Sequence, residues 1–451
     1  MITVIPFFIS LLIGYFLSRL ILNKSKSTHP FLLLFFSVGL GFGISSVITF
    51  FSFLLFNQFN PFVLFFSHLI LLSALFIFYH CKNNQSVLFL PLDFKKILNL
   101  KNILLTLSAL PVIYLLGYLT FIFALRCPYG EWDAWAVWNM KARFLILSGT
   151  SWQNLFYLHP FTQPDYPPLL PFMHVWLWTL TKTMFHYVPL AIGIIFTLSC
   201  GGLLFFGLSR YIKSHLALLA MGLLICLPHF IDGGTSQYAD VILAYFLLAS
   251  LISLVRAVRE NDQGFFVLTG VFLGLMAFTK NEGMLISALI GMITIFYFIA
   301  EGTPNKAKNI KMLFRGIALT FPAIIIFKLF LAPPNKDILL QNLNPSSPFF
   351  NLEGCYMIVS SMLKQFIHPN WHYIWVIVGI AIVLDSRRYW YKEIKILTLF
   401  FIVFIVAVFF VYLTTTNFSL MWRLSRTLSR ILFYLYPSIL FLVFYVYGYE
   451  K

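Results

Sequence analysis

Charge is what this sequence has least of. Only 10% of its 451 residues are charged and 60% are hydrophobic, whereas an ordinary soluble domain carries about 25% charged residues. Water is therefore not the main solvent, and no stretch is polar enough to form a soluble domain of any size. A P-loop and a glycine-rich dinucleotide fingerprint are both missing, so neither ATP hydrolysis nor a nicotinamide cofactor is indicated. Five cysteines, Cys81, Cys127, Cys200, Cys226 and Cys355, are scattered without metal-ligand spacing. Repeats, coiled-coil heptads and low-complexity tracts are absent, and no Ser or Cys nucleophile with its partners stands out.

What the chain has in abundance is apolar runs. A helix rising 1.5 Å per residue needs about 20 apolar residues to cross about 30 Å of hydrocarbon. Such runs predict an all-α, polytopic transmembrane protein with about 13 spans: 2–21, 31–55, 61–80, 103–126, 185–208, 215–231, 239–257, 264–279, 284–300, 316–332, 372–385, 396–414 and 431–447. The apolar stretch 168–183 breaks the parity unless it enters the membrane without crossing. No small-residue cleavage site follows the first 21 residues, so a retained span is expected there rather than a signal peptide.

Most of the 31 basic residues fall in one set of alternating loops. These are Lys24 and Lys26; Lys82, Lys95, Lys96 and Lys101; Arg210 and Lys213; Arg256 and Arg259; Lys306 to Arg315; and Arg387 to Lys395. The positive-inside rule places that side in the cytoplasm, the N-terminus outside and the C-terminus inside. The net charge of +16 then answers anionic head groups rather than nucleic acid. Membrane lipid is the expected partner, and the sequence leaves protein partners open.

Two long loops, 127–167 and 333–371, fall on the expected outer side. The first places Trp132, Trp135 and Trp138 three residues apart, with Glu131, Asp133, Lys141 and Arg143 among them. That spacing predicts an amphipathic helix lying in the interface. An aromatic belt accounts for tryptophans at that depth, but carboxylates against an apolar interface need solvent or a purpose. Asp165, Asp232, Asp240 and Glu282 join them on that side, opposed by Lys280, Lys336, Lys364, Arg423, Arg426 and Arg430. The three arginines, spaced three and four apart, share one helix face. Such a face suits a phosphate or pyrophosphate, and equally the snorkelling of long cations to head groups. His368 and His372 have a weak metal-binding spacing. A divalent metal is compatible with the sequence but not indicated, and no cofactor is expected. Cys127 and Cys355 share the outer side, where a disulfide and two free thiols both remain open.

An early acidic outer loop, an aromatic amphipathic helix and a Pro-Pro-Leu segment together resemble the GT-C superfamily of membrane glycosyltransferases. The similarity is closest to the branch with the protein O-mannosyltransferases and the bacterial aminoarabinose transferase. The matching stretches are EWDAWAVW with DYPPLLPF, then QYADVILAYFLL, GLMAFTKNEGMLI and finally WRLSRTLSRILFYLYP. In one departure, the acidic loop follows the fourth span rather than the first. Residues 1–102 then read as additional N-terminal helices, 103–332 as the GT-C-like catalytic module, and 333–451 as an outer loop with C-terminal helices.

The resemblance implies inverting transfer of a hexose-type sugar from a polyprenyl-phosphate-linked donor to a lipid, glycan or protein acceptor. The reaction is expected on the extracytoplasmic face, with a bacterial inner membrane as the location. By position in the motif, Asp133 is the expected general base, with Glu131 as runner-up. Arg143, Lys280, Arg423, Arg426 and Arg430 are the candidates for holding the donor phosphate. Trp135, Trp138, Asp165, Asp240 and Glu282 are the candidates for the acceptor or sugar, with core packing or structural ion pairing as the competing role of each. The alternative is a transporter or flippase for a lipid-linked or anionic solute, which also needs many helices and intramembrane charge.

Overall fold

A computed structural model describes residues 4–23, 28–82, 100–181, 183–301, 305–334, 352–414 and 419–448. The loop cations Lys24, Lys26, Lys95, Lys96 and Lys336 lie outside the described residues. The described chain is helical: α1 Val4–Ile21, α2 Pro30–Phe56, α3 Pro61–Lys82, α4 Leu100–Arg126, α5 Asn139–Leu147, α6 Leu169–Trp178, α7 Tyr187–Leu208, α8 Ser214–Ile225 and α9 Pro228–Thr235. It continues with α10 Ala239–Glu260, α11 Gln263–Ala277, α12 Asn281–Ala300, α13 Lys306–Ile317, α14 Phe321–Ile326, α15 Leu352–Phe366, α16 Ile374–Leu384, α17 Lys392–Thr414 and α18 Leu420–Tyr447.

Among the described residues, eight helices are long and apolar enough to cross a membrane, α1, α2, α3, α7, α10, α12, α17 and α18, with up to ten crossings if each of two bent pairs is one span. The expected number of 13 is not confirmed by these helices, and three stretches show local departures from straight spans. The run 215–231 bends by 61° between α8 and α9. There Pro228 opens α9 and holds Leu227 extended, with φ −80° and ψ 110°, as a residue before proline prefers. The run 316–332 lies in a second pair bent by 57°, where Thr320 leaves helical geometry just before Pro322. The stretch 168–183 yields α6, ten residues long and wholly buried. At roughly 15 Å it is too short to cross.

Helix α10 is the centre of the bundle. Every residue from Ala239 to Ala257 is buried, the pattern of a helix apolar on all sides and packed all round. Its charges sit only at its ends. Asp240 occupies the first turn, where a carboxylate complements the helix dipole. At the far end Glu260 accepts from Arg210 at 2.7 Å and pairs with Arg256 at 3.2 Å. Glu393 of α17 closes that end by accepting from Tyr445 at 2.6 Å. The 16 residue steps from Asp240 to Arg256 rise roughly 24 Å, close to the thickness of a hydrocarbon core.

The N-terminal helices pack through small residues. A methyl group at Gly14 would fall 2.0 Å from the Ser37 carbonyl oxygen, and one at Gly41 1.9 Å from that of Ser10. Only glycine lets α1 and α2 approach this closely, and Ser10 and Ser45 then hydrogen-bond across the seam at 3.0 Å.

Candidate active site

The loop expected to be an amphipathic helix contains a short helix with a change of pitch, but one that buries Asn139 and Lys141 and exposes Leu147. Ala134–Trp138 form a π turn that runs into α5. The wider turn rotates later residues relative to a regular helix, so a three-residue spacing no longer lines up one face. Trp132 and Trp135 remain exposed, meeting edge to face at 4.5 Å, whereas Trp138 is buried at 1% exposure. Trp138 therefore packs in the core, 6.0 Å from the ring of Tyr166.

Just before this turn, Asp133 reaches α18. Its Oδ2 lies 2.6 Å from Arg430 Nη1. The same guanidinium donates through Nε and Nη2 to Asp240 Oδ2, at 2.8 and 2.6 Å. Asp240 Oδ1 accepts from Lys280 Nζ at 2.9 Å, and Lys280 lies 3.2 Å from Glu282 Oε1. Three carboxylates and two cations thus form one continuous chain drawn from the acidic loop, α10, the start of α12 and α18. Asp240 and Lys280 are its buried middle, while Asp133 and Glu282 at its ends keep 23% and 34% of their side chains exposed.

Tyrosines frame this chain. Tyr238 accepts from the Asp133 backbone N–H at 3.3 Å, and Arg430 lies over its ring at 5.0 Å. Lys280 lies 5.7 Å from the centre of the Tyr166 ring. The Tyr166 segment is itself pinned from below. Lys141, fully buried, donates to the Gln163 carbonyl at 2.5 Å. Lys328 donates to the Asp165 carbonyl and to Asn281 Oδ1, both at 2.7 Å, and Asn281 Nδ2 donates to Asp165 Oδ2 at 2.6 Å. Burial pushes the Lys141 amine down to about 7, with Asp165 opposing the shift.

The expected site residues thus divide. Asp133, Asp240, Lys280, Glu282 and Arg430 meet directly, and Asp165 adjoins them through Asn281, the neighbour of Lys280. Glu131 stands to one side, where partial burial and the Asp232 carboxylate raise its pKa while Tyr238 donates to it. Arg423 donates to the Tyr412 carbonyl at 3.1 Å. Arg426 is exposed on the same helix. Arg143 lies in a cleft beside α5, and no ion pair joins it to the charge chain among the described residues. Tyr166, Tyr238, Asn281 and Lys328 were not anticipated. A lone lysine inside the apolar run AIIIFKLFLA was the available signal for Lys328.

His368 and His372 flank a short 3₁₀ turn rather than sharing a helix face. Among the described residues no group of three or more His, Cys, Asp or Glu side chains is placed to hold a metal. Cys127 and Cys355 are both free thiols.

Residues 166–328 match the family model described as dolichyl-phosphate-mannose-protein mannosyltransferase. The match supports a membrane glycosyltransferase of the GT-C type. No curated protein and no solved structure matches the chain at a significant level. The matched interval holds Tyr166, Tyr238, Asp240, Lys280, Glu282 and Lys328. Asp133 and Arg430 lie outside it on opposite sides and reach Asp240 only through the fold.

Proposed function

We propose that this multi-pass membrane protein transfers a sugar from a polyprenyl-phosphate-linked donor to an acceptor on the extracytoplasmic side, with inversion and as a hexosyltransferase. The observation that carries this reading is the chain Asp133, Arg430, Asp240, Lys280, which presents a partly open carboxylate in fixed orientation at one end of the bundle. In the reaction Asp133 takes the proton of the acceptor hydroxyl. That oxygen forms the new bond to the anomeric carbon as the bond to the phosphate oxygen breaks, and the lipid phosphate leaves with the electron pair. Both steps need positioned groups more than strong ones.

Arg430 and Lys280 are already engaged by carboxylates, so their role here is to orient Asp133 and Asp240. Arg423 and Arg426, two turns and one turn earlier on α18, are the cations left to receive the phosphate. Cations there stabilise the departing anion. The acceptor remains a lipid, glycan or protein. Charge gathered at the two ends of α10, with none between Asp240 and Arg256, favours transfer over transport, since transporters bind near the midplane.

The test is to incubate the purified full chain with a panel of polyprenyl-phosphate sugars and candidate acceptors. Sugar leaving the donor in the presence of wild-type protein, and lost in Arg423→Ala and Arg426→Ala through weaker donor binding, supports the reading. No release from any donor by well-folded protein, with solute uptake into vesicles instead, overturns it.

A further inference from the structure

A second concave feature lies beside α5, apart from the charge chain. It is a cleft of about 530 Å³ between α5 and the first turn of α7, within the usual range of about 300–1,000 Å³ for small-molecule sites. Met140, Phe144 and Leu147 of α5 supply an apolar wall, with Trp178 and Pro189 opposite. Three polar features interrupt it. Arg143 is exposed and forms no ion pair among the described residues. Asn139 is 7% exposed, and its Oδ1 is a buried acceptor without a partner. Ser148 Oγ is likewise buried and unpartnered.

An orphaned buried acceptor is costly, and native proteins rarely leave one without a use. Asn139 cannot be turned to relieve it, because its Nδ2 already donates to Gln237 Oε1 at 2.8 Å. The cleft therefore offers a buried acceptor at one end of α5, a cation one turn along at the rim, an apolar wall and, at the far end of the helix, the Ser148 hydroxyl. The depth is set by α7, a 22-residue span of roughly 33 Å, so its N-terminal end, with His186 as the capping position and Pro189 in the first turn, belongs at head-group level. The positive end of that helix adds to the pull on an anion.

We propose that this cleft binds an anionic membrane lipid whose head group carries a free hydroxyl beside its phosphate. The phosphate meets Arg143, the hydroxyl donates to Asn139 Oδ1, and the first methylenes lie against Phe144 and Leu147. The site goes beyond glycosyl transfer and does not rest on it. Through Asn139 and Gln237 it touches the segment that leads to Tyr238 and Asp240, so an occupied cleft steadies that side of the charge chain.

Native mass spectrometry of the full chain in neutral detergent tests this without any sugar donor. The probes are phosphatidylglycerol, phosphatidylmethanol, which is anionic but lacks the hydroxyl, and phosphatidylcholine. Wild-type protein should retain phosphatidylglycerol best, phosphatidylmethanol less well and phosphatidylcholine least. Arg143→Gln, at an exposed position that tolerates substitution, should weaken phosphatidylglycerol binding about tenfold, as loss of one charge-assisted hydrogen bond implies. Arg143→Lys should restore part of it. Equal retention of all three lipids, phosphatidylmethanol binding as tightly as phosphatidylglycerol, or an unchanged preference in Arg143→Gln would each overturn the proposal.

Discussion

Arg430→Lys separates a positioned fork from a simple positive charge. Arg430 makes three contacts to carboxylates: one to Asp133 at 2.6 Å, and two to a single oxygen of Asp240 at 2.8 and 2.6 Å. An ammonium is one compact donor centre and cannot span both carboxylates in the geometry of a planar guanidinium. Charge-assisted hydrogen bonds contribute about 1.5–3 kcal/mol each. Because the two bonds to Asp240 share an oxygen, the substitution forfeits the equivalent of one or two such bonds, about 1.5–6 kcal/mol. Asp240 keeps Lys280 at 2.9 Å and stays neutralised, so the fold survives. Asp133, partly open to solvent, loses its anchor and turns away. Displacing a reacting group by about 1 Å costs about 100-fold in rate. The expected outcome is normal insertion, a thermal midpoint lower by several degrees in detergent, and turnover reduced about 100-fold. Wild-type turnover in Arg430→Lys would refute the positioning argument, because charge alone would then suffice.

Two further predictions address the loop. Lys141 has a folded-state pKa of about 7, below the ordinary 10.5, so between pH 7 and 10.5 the unfolded chain binds more protons at this site. Stability should rise with pH across that window and level off below about 7. Lys141→Met should flatten the rise in thermal midpoint, and an unchanged slope would count against the buried amine. A cysteine placed at Thr150 should react with an impermeant reagent in intact cells. Reaction only after lysis would move the whole site to the cytoplasmic face.

The spans were legible because length and apolarity alone decide whether a helix can cross. Asp240, Lys280 and Glu282 were legible because each runs against an apolar background, and they do converge. The bends were not, since Pro228 and Pro322 show where a helix is weak but not that packing turns each pair by about 60°. The faces of the loop helix were misjudged for a different reason. One extra residue in the π turn at 134–138 sends Trp138 inward, and periodicity counted on a regular helix cannot register that. Lys328 was hidden by its own surroundings, as a single cation in an apolar run reads as the edge of a span. That Arg430 reaches across to Asp133 depends on the contact between the acidic loop and α18, nearly 300 residues apart in sequence, which no local pattern encodes.

The central claim is that Asp133 deprotonates the acceptor, and Asp133→Asn tests it most directly. The amide keeps the shape and still accepts from Arg430, but it cannot take a proton. With donor binding and transfer measured separately on purified protein, binding should be retained while transfer falls about 100-fold to 10,000-fold, the usual worth of a positioned general base. Near wild-type transfer by Asp133→Asn, with Glu131→Gln inactive instead, would contradict the claim and give the role to Glu131.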